Sequence, residues 1–158
     1  GISVASDDIN CALSGVSVAG RRQLINRKQR SYILDVAHNT EAVEQLMRFL
    51  EHKPCKGRRI AVFAALSDKP IDAMISGLVD LIDEWYLPCG VGGDRASNPA
   101  LMATERLPKC KIHPDFDSAW SDVEASGAAG DQVVVFGSFF TVSEALSRLD
   151  VKPEGLPK

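Results

Sequence analysis

The chain has 158 residues and a formal net charge of −3, from 18 Lys and Arg against 21 Asp and Glu. With 45% hydrophobic and 25% charged residues it has the composition of one globular domain, which excludes disordered, collagen-like and disulfide-scaffold classes. The mildly acidic balance argues against nucleic acid or an anionic membrane as partner, and no apolar run reaches the roughly 20 residues that span a bilayer.

Short apolar segments alternate with amphipathic ones along the chain. An apolar, β-branched segment of about five residues is typical of a strand that is buried on both faces of a sheet. Apolar side chains spaced at i, i+3, i+4 and i+7 predict a helix with one buried face. These patterns predict strands at 31–36, 60–64, 84–88, 109–113 and 132–136, and helices at 40–51, 70–82, 98–107, 115–125 and 141–149, the last opened by a capping box at 141–144.

The first 30 residues have a different pattern. We predict a short helix at 7–13 and two strands at 16–18 and 23–25 on either side of Gly20, antiparallel at the sheet edge. The remainder predicts an α/β fold, a Rossmann-like, doubly wound and mostly parallel sheet with helices on both faces.

Cysteine and histidine usage indicates no metal centre. None of these residues stands in the short-range spacing of a zinc site, so we expect reduced thiols. Gly1 to Val4 lack the basic and apolar regions of a signal peptide, and we predict a cytoplasmic protein. The residues concerned are Cys11, Cys55, Cys89, Cys110, His38, His52 and His113.

Polar residues follow the predicted strands at their carboxyl ends, where ligands bind in an open α/β sheet. Charges of both signs and small residues would therefore meet at one rim, as an ionic ligand requires. They are Asp35, His38 and Asn39; Ser67, Asp68 and Lys69; Asp94, Arg95 and Ser97; and Gly137 and Ser138.

Each of these groups also has an ordinary structural interpretation. Asp35 could cap the neighbouring helix, and His38 could be a turn residue or a base. The glycines at 90–93 form a weak phosphate-loop signal or a simple strand-to-helix turn. Gly137 and Ser138 could admit an anion to backbone N–H groups or allow tight helix packing. The basic residues Arg21, Arg22, Arg27, Lys28 and Arg30 could bind an anion or form a solvated edge hairpin.

The usual catalytic motifs do not occur in the sequence. It has no GxxxxGK[ST] loop for nucleotide phosphates, no nucleophile elbow and no HExxH helix. From the residues alone we expect an α/β domain with an anion-tolerant rim that does not hold complete catalytic machinery.

Five ordered blocks, at 19–23, 34–39, 64–69, 95–97 and 135–142, give the chain its resemblance to a known family. Over about residues 9–149 it resembles the C-terminal domain of the folylpolyglutamate synthase/dihydrofolate synthase branch of the Mur ligase family. Two positions depart from that family's usual pattern. Thr40 replaces a proline, and Phe140 replaces a histidine that many members carry.

The resemblance implies an ATP-dependent ligase that joins L-glutamate to dihydropteroate or folate through an acyl phosphate. The P-loop and the Mg ligands would lie in a preceding central ATPase domain, so this chain alone is expected to be inactive. Residues 1–17 would then be a linker or remnant of that domain, 18–150 the Mur ligase C-terminal (glutamate ligase) domain, and 151–158 a tail.

The same resemblance implies roles for four residues. Arg21 and Asp35 would bind ATP, through its phosphates and its ribose hydroxyls, whereas His38 and Ser138 would lie near the glutamate. No residue of this chain is assigned as catalytic or as a metal ligand. Two alternatives stay open: a C-terminal domain of a peptidoglycan-precursor ligase, and a non-catalytic module that binds anionic metabolites.

Overall fold

A six-stranded sheet forms the centre of the computed structural model, which describes residues 20–102, 107 and 109–150. Its strands are β1 (Gln23–Arg27), β2 (Arg30–Asp35), β3 (Arg59–Phe63), β4 (Glu84–Pro88), β5 (Cys110–His113) and β6 (Gln132–Phe136). The helices are α1 (Thr40–Glu51), α2 (Ile71–Ser76), α3 (Pro99–Met102), α4 (Phe116–Ser126) and α5 (Phe139–Leu149), with a 3-10 turn at Gly93–Arg95. None of the described helices is long and apolar enough to cross a membrane.

The strand order is β1-β2-β6-β3-β4-β5. Strands β2, β6, β3, β4 and β5 run parallel, and β1 pairs antiparallel with β2 at the edge. The two central strands, β3 and β6, are buried at every position, because helices cover both faces of the sheet. The predicted α/β class, the mostly parallel sheet and the antiparallel edge strand are confirmed.

Alternate residues of each strand enter different cores. Ile33 of β2 and Phe63 of β3 pack with helices α1 and α2. Leu34 and Val62, their neighbours in sequence, pack with α4 and α5 on the opposite face. The helices that follow β2 and β6 therefore lie on different faces of the sheet although these strands are adjacent, and this arrangement opens a crevice at their carboxyl ends.

The amino-terminal edge of the sheet is a tight hairpin. Arg27 and Arg30 face each other across a two-residue loop, in which Lys28 and Gln29 both have positive φ. Arg27, Lys28 and Arg30 of the basic run thus lie in the edge hairpin that the sequence offered as one alternative, whereas Arg21 and Arg22 precede it. The other predicted elements of this region, at 7–13 and 16–18, lie outside the described residues, as do the proposed linker at 1–17 and the tail at 151–158.

One predicted helix ends earlier than the periodicity suggested, and the end of another lies outside the described residues. Helix α2 ends at Ser76, with Gly77 as its C-cap. Leu78 and Ile82 lie beyond the helix and are still buried. The spacing of the apolar residues therefore predicted correctly which side chains are in the core, but it predicted a helix that is too long. Helix α3 is described only as Pro99–Met102, because residues 103–106 are outside the described part.

The predicted capping box at 141–144 is wrong. Helix α5 begins three residues earlier than 142, and its cap is Ser138, whose side chain accepts a hydrogen bond from the Thr141 N–H. The hydroxyl of Thr141 is turned inward instead and donates to the Ala64 carbonyl at 2.7 Å. The Thr141 hydroxyl, which the sequence predicted as the helix cap, is thus used in a hydrogen bond to a distant strand end.

Candidate functional site

Two neighbouring clefts open at the carboxyl ends of β2, β6 and β3. The first cleft has a volume of about 190 Å³ and is lined by the end of β2 and the start of α1, with Arg21, Asp35 and His38 among its residues. The second cleft has a volume of about 250 Å³ and lies between the start of α5 and the loops after β3 and β4. His38 lines both clefts and is the residue that joins them.

Asp35 closes strand β2 and is only 9% exposed. One carboxylate oxygen accepts from the Ala37 N–H at 2.8 Å, and the other accepts from the Arg22 N–H at 3.1 Å. Burial raises the pKa of Asp35 above its usual value, although these two N–H donors act in the opposite direction. The prediction that Asp35 could cap the neighbouring helix is wrong, because the cap of α1 is Asn39. Asp35 instead holds the backbone N–H groups of Ala37 and Arg22, and it lines the first cleft.

The segment before β1 folds back over the end of β2. The Gly20 carbonyl accepts from the Val36 N–H at 2.7 Å, and the Gly20 N–H donates to the side-chain carbonyl of Gln23 at 3.0 Å. This turn places both Arg21 and Arg22 on the first cleft, with Arg22 in a left-handed backbone conformation at φ 46°. The predicted anion-binding arginine and the predicted ribose-binding carboxylate therefore meet in one cavity.

His38 follows β2 and is oriented by its own backbone. Its Nδ1 lies 2.9 Å from the Val36 carbonyl oxygen, which can only accept, so the proton of the neutral ring resides on Nδ1. The Nε2 atom is then the ring position left to serve a ligand as an acceptor, or as a donor when the ring is protonated. On its other side the imidazole lies 6.3 Å from the ring of Phe139, centroid to centroid.

The second cleft carries two cations that sequence reasoning placed on the rim but did not assign to a site. Lys69 and Arg95 both line it, and both pair with Asp68, at 2.9 Å and 3.3 Å. The hydrogen bond from Lys69 is the main cause that holds the pKa of Asp68 below its usual value. The opposite charges of Asp68 and Lys69, in the loop that follows β3, were the available signal.

The loops that carry these cations are fastened to each other. The Ser67 N–H donates to the Arg95 carbonyl at 2.9 Å. The N–H and the hydroxyl of Ser97 both donate to the Ala65 carbonyl. A single antiparallel bridge joins Leu66 to Ala96. Lys69 and Arg95 are 26 residues apart in the chain, and these loop contacts help to bring them to one cleft.

Ser138 lines the second cleft, but its hydroxyl is committed to the fold. It is 3% exposed, accepts from the Thr141 N–H, and lies 2.7 Å from the Thr141 hydroxyl. Because that hydroxyl donates to Ala64, it must accept its second bond from Ser138. Gly137 before it has φ 113°, and a Cβ there would lie 2.5 Å from the Ala64 carbonyl oxygen, so the close turn requires glycine.

Two backbone N–H groups of the glycine turn after β4 donate to carbonyl groups within the turn. The Gly93 N–H donates to Gly90, and the Arg95 N–H donates to Gly92. These N–H groups are therefore not free to cradle a phosphate, which favours the strand-to-helix turn over the phosphate loop. Across residues 20–102, 107 and 109–150, no group of three or more His, Cys, Asp or Glu side chains could hold a metal ion.

The arrangement suits an extended ligand with more than one negative group. The first cleft offers guanidinium groups and a buried carboxylate, the second offers an ammonium and a guanidinium group, and His38 stands between them. Cations of this kind bind phosphate or carboxylate, and a carboxylate at a strand end can accept hydrogen bonds from hydroxyl groups. The described residues supply binding groups, and none is an evident nucleophile.

Comparisons with known proteins show which proteins the chain is similar to. Residues 20–139 match the family described as "Mur ligase, glutamate ligase domain". The chain is 32% identical over 155 residues to dihydrofolate synthase/folylpolyglutamate synthase of Escherichia coli, covering 98% of this chain and 36% of that protein. The corresponding protein of Bacillus subtilis is 26% identical over 147 residues, covering 92% and 34%. The chain thus spans about a third of the length of the curated relatives it matches.

Solved structures give the same result for the fold. E. coli FolC in complex with DHPP and ADP superposes with a TM-score of 0.83 at 31% identity, covering 95% of this chain and 36% of that one. A bifunctional folylpolyglutamate synthase/dihydrofolate synthase with Mn, AMPPNP and L-glutamate bound gives a TM-score of 0.82 at 31% identity, with the same coverage.

Proposed function

The chain belongs to the Mur ligase glutamate ligase domain family, and we propose that it is the C-terminal domain of an ATP-dependent ligase that adds L-glutamate to dihydropteroate, to folates or to both. The names of its relatives support the folate substrates over a peptidoglycan precursor. The similar structures bind ADP with DHPP, and AMPPNP with L-glutamate, which are ligands that such a ligase requires.

The junction of the two clefts at His38 is the observation that carries this proposal. We assign the nucleotide to the first cleft, where Arg21 would neutralise phosphate charge and Asp35 would accept hydrogen bonds from ribose hydroxyls. The guanidinium group of Arg21 would attract phosphate by its charge and donate hydrogen bonds to it. The carboxylate of Asp35 would only accept hydrogen bonds from the sugar hydroxyls. The assignment makes Asp35 a shared acceptor, for the Arg22 N–H and for the ligand.

We assign the incoming glutamate to the second cleft. Lys69 and Arg95 would bind its carboxylates, and His38 Nε2 would lie at the boundary with the nucleotide. Asp68 pairs with both cations, so a glutamate carboxylate would compete with an exposed side-chain carboxylate. Ser138 would contribute by fixing the start of α5, because its hydroxyl is already used.

In the proposed reaction the γ-phosphate of ATP activates the carboxyl group of the pterin substrate, and the glutamate amine displaces phosphate to form an amide. The residues of this chain would bind and orient the nucleotide and the amine. Mg²⁺ and the phosphate-binding loop would come from the upstream part of the ligase, and the need for ATP favours the cytoplasm. For that reason we propose that residues 1–158 alone do not turn over substrate.

A turnover assay tests the proposal. The complete ligase polypeptide, supplied with ATP, Mg²⁺ and L-glutamate, should release ADP and form the amide with dihydropteroate, with tetrahydrofolate, or with both. Residues 1–158 under the same conditions should form no amide. Turnover by the chain alone, or a complete polypeptide that releases no ADP in response to glutamate and either pterin, would refute it.

A further inference from the structure

Thr141 is a buried polar residue beside the second cleft to which the proposed function assigns no role. It lies in the first turn of α5 and is 0% exposed. Its hydroxyl donates to the Ala64 carbonyl at 2.7 Å and lies 2.7 Å from the Ser138 hydroxyl. A threonine inside a helix commonly bonds a carbonyl of its own helix, one turn back. Thr141 is bonded instead to a segment 77 residues away in the chain, so it connects two elements of the fold.

The second cleft has two walls that come from separate segments. One wall is the start of α5 at Ser138, and the other consists of the loops after β3 and β4, with Lys69 and Arg95. Strands β3 and β6 are paired in register as far as Phe63 and Phe136. Beyond this pair β6 leads into α5 and β3 leads into the loop of Lys69, so contacts outside the sheet help to set the width of the cleft.

The Thr141 hydroxyl joins the two walls behind the cleft. Ala64 is the first residue after β3, and its carbonyl accepts the Thr141 hydroxyl proton. The carbonyl of the next residue, Ala65, accepts from the N–H and the hydroxyl of Ser97 in the loop after β4. Two consecutive carbonyl groups thus connect this segment to α5 on one side and to the loop of Arg95 on the other. A displacement of the segment would move both loops.

The hydrogen bonds around Thr141 fix the separation of the two walls. The Ser138 hydroxyl accepts from the Thr141 N–H at 3.1 Å and donates to the Thr141 hydroxyl, which in turn donates to Ala64. Each hydroxyl therefore donates once and accepts once, and neither can rotate without leaving a buried group unpaired. Gly137 allows this close approach, because a Cβ there would lie 2.5 Å from the Ala64 carbonyl oxygen.

Resting on the proposed function, we infer that Thr141 is a positioning residue for the cleft that binds L-glutamate. It contacts no substrate and acts through the Ala64 carbonyl. Its hydroxyl holds the wall that carries Lys69 and Arg95 at a fixed distance from the start of α5. An amino acid with two carboxylates needs both cations at a defined spacing, since a small misplacement weakens ion pairs and misorients the amine. Loss of the hydroxyl should therefore affect glutamate more than the nucleotide in the first cleft.

Three variants of the complete ligase polypeptide separate the hydroxyl from the general stability of α5. Thr141→Val keeps the shape of the side chain and removes the donor, whereas Thr141→Ser keeps the donor and removes a methyl group. Ala145→Gly is the matched control, because it destabilises the same helix at a fully buried position without changing these hydrogen bonds. All three should lower the melting temperature.

Only Thr141→Val should change the KM for glutamate. We expect a rise of about fivefold, the factor that corresponds to the net contribution of one hydrogen bond, with the KM for ATP changed by less than about twofold. Thr141→Ser and Ala145→Gly should keep both KM values within about twofold of the unsubstituted polypeptide. An unchanged KM for glutamate in Thr141→Val would overturn the inference. An equal rise in all three variants, or an equal rise in the KM for ATP, would overturn it as well, because reduced stability would then explain the effect.

Thr141→Cys decides the question if the valine variant does not fold. A thiol is a weaker donor than a hydroxyl. The KM for glutamate should therefore be at least about twofold higher in Thr141→Cys than in Thr141→Ser. Equal KM values in these two variants would overturn the inference.

The unsubstituted polypeptide separates this inference from the proposed function. If it forms no amide, the proposed function is refuted and the role of Thr141 is refuted with it. If it ligates glutamate and Thr141→Val has an unchanged KM for glutamate, only the role of Thr141 is refuted and the proposed function stands.

Discussion

The carboxylate of Asp35 holds the backbone N–H of Arg22 at 3.1 Å and so joins the segment before β1 to the end of β2. The two residues are 13 positions apart in sequence, and both line the first cleft. This contact makes the geometry of the arginine segment depend on the same side chain that we assign to the ribose. Substitution of Asp35 should therefore affect both nucleotide binding and the free energy of unfolding.

Asp35→Asn in the complete ligase should raise the KM for ATP by about tenfold, because a charge-assisted hydrogen bond of about 1.5–3 kcal/mol is replaced by a weaker one. It should also lower the free energy of unfolding of residues 1–158 by about 1–3 kcal/mol, since one backbone N–H loses its acceptor. Steady-state kinetics and urea denaturation measure the two effects. A loss of stability with an unchanged KM for ATP would leave Asp35 with a purely structural role.

Substitutions of Lys69 and of Asp68 should differ in their effect on the KM for glutamate. Lys69→Ala removes a proposed carboxylate ligand and should raise the KM for glutamate by about tenfold while the KM for ATP stays unchanged. Asp68→Asn removes the competing carboxylate from Lys69 and Arg95 and should lower the KM for glutamate or leave it as it is. Both are measured by varying one substrate at saturation of the others. An increase in KM for glutamate in the Asp68 variant would contradict the assignment of the second cleft.

Ser138→Ala should destabilise residues 1–158 by about 1–2 kcal/mol through loss of the helix cap. The Ser138 hydroxyl both accepts from the Thr141 N–H and donates to the Thr141 hydroxyl. Thr141→Val is the matched variant and should cost a similar amount of about 1–3 kcal/mol, because the buried Ala64 carbonyl then loses its hydroxyl donor. Thermal unfolding by circular dichroism gives both values. A fully stable Ser138→Ala protein would show that the cap is dispensable.

Gln29→Gly should stabilise the edge hairpin. Lys28 and Gln29 have φ of 50° and 61° in a two-residue loop, a conformation that glycine adopts without the crowding of a Cβ. We expect a gain of about 0.5–1 kcal/mol in the free energy of unfolding, read from urea denaturation. Gly130→Ala, at φ 88° on the facing loop, is the control and should have the opposite sign. Destabilisation by Gln29→Gly would show that backbone entropy outweighs the relief of strain.

Asp131 should contribute a pH-dependent part of the stability. The Asp131 side chain is 2% exposed, and burial by itself would raise its pKa. The carboxylate accepts from the backbone N–H groups of Ala128 and Arg58 and lies 2.8 Å from the Arg58 guanidinium, and these contacts hold its pKa below the usual value. A folded-state pKa below the unfolded one means that this stabilisation is present above the unfolded pKa, near 4, and is lost as pH falls through the folded-state value.

Asp131→Asn should therefore cost about 2 kcal/mol at pH 7 and less at pH 3, which lies below the unfolded pKa, so that the unfolded wild-type chain binds a proton at Asp131 and the stabilisation falls. Urea denaturation at the two pH values measures the difference. Asp117→Asn, at an ion-paired position 80% exposed, is the control and should cost at most about 0.5 kcal/mol at either pH. An equal cost of Asp131→Asn at both pH values would contradict the pKa direction.

The sequence by itself determined the layers of the fold. Continuous apolar strands such as 132–136 and one-sided helices such as 40–51 predict a parallel sheet covered on both faces, because each element must bury its own apolar surface. The same local reasoning placed Asp35, His38, Lys69 and Arg95 on one rim, since parallel strands present their carboxyl ends together. The caps Asn39 and Asp115 are local features too, because each accepts a hydrogen bond from an N–H three residues further along the chain.

Only the tertiary structure decided which residues of that rim line the first cleft and which line the second. The insertion of β6 between β2 and β3 brings Ser138 beside His38, and no local pattern specifies strand order. The start of α5 followed a hydrogen bond from Thr141 to Ala64, 77 residues away, which overrode the capping box read from the sequence. The spacing of residues along a chain indicates contacts within a few residues. The meeting of Lys69 and Arg95 in one cleft, and the exposure of Phe139 and Phe140, depend on contacts between distant segments.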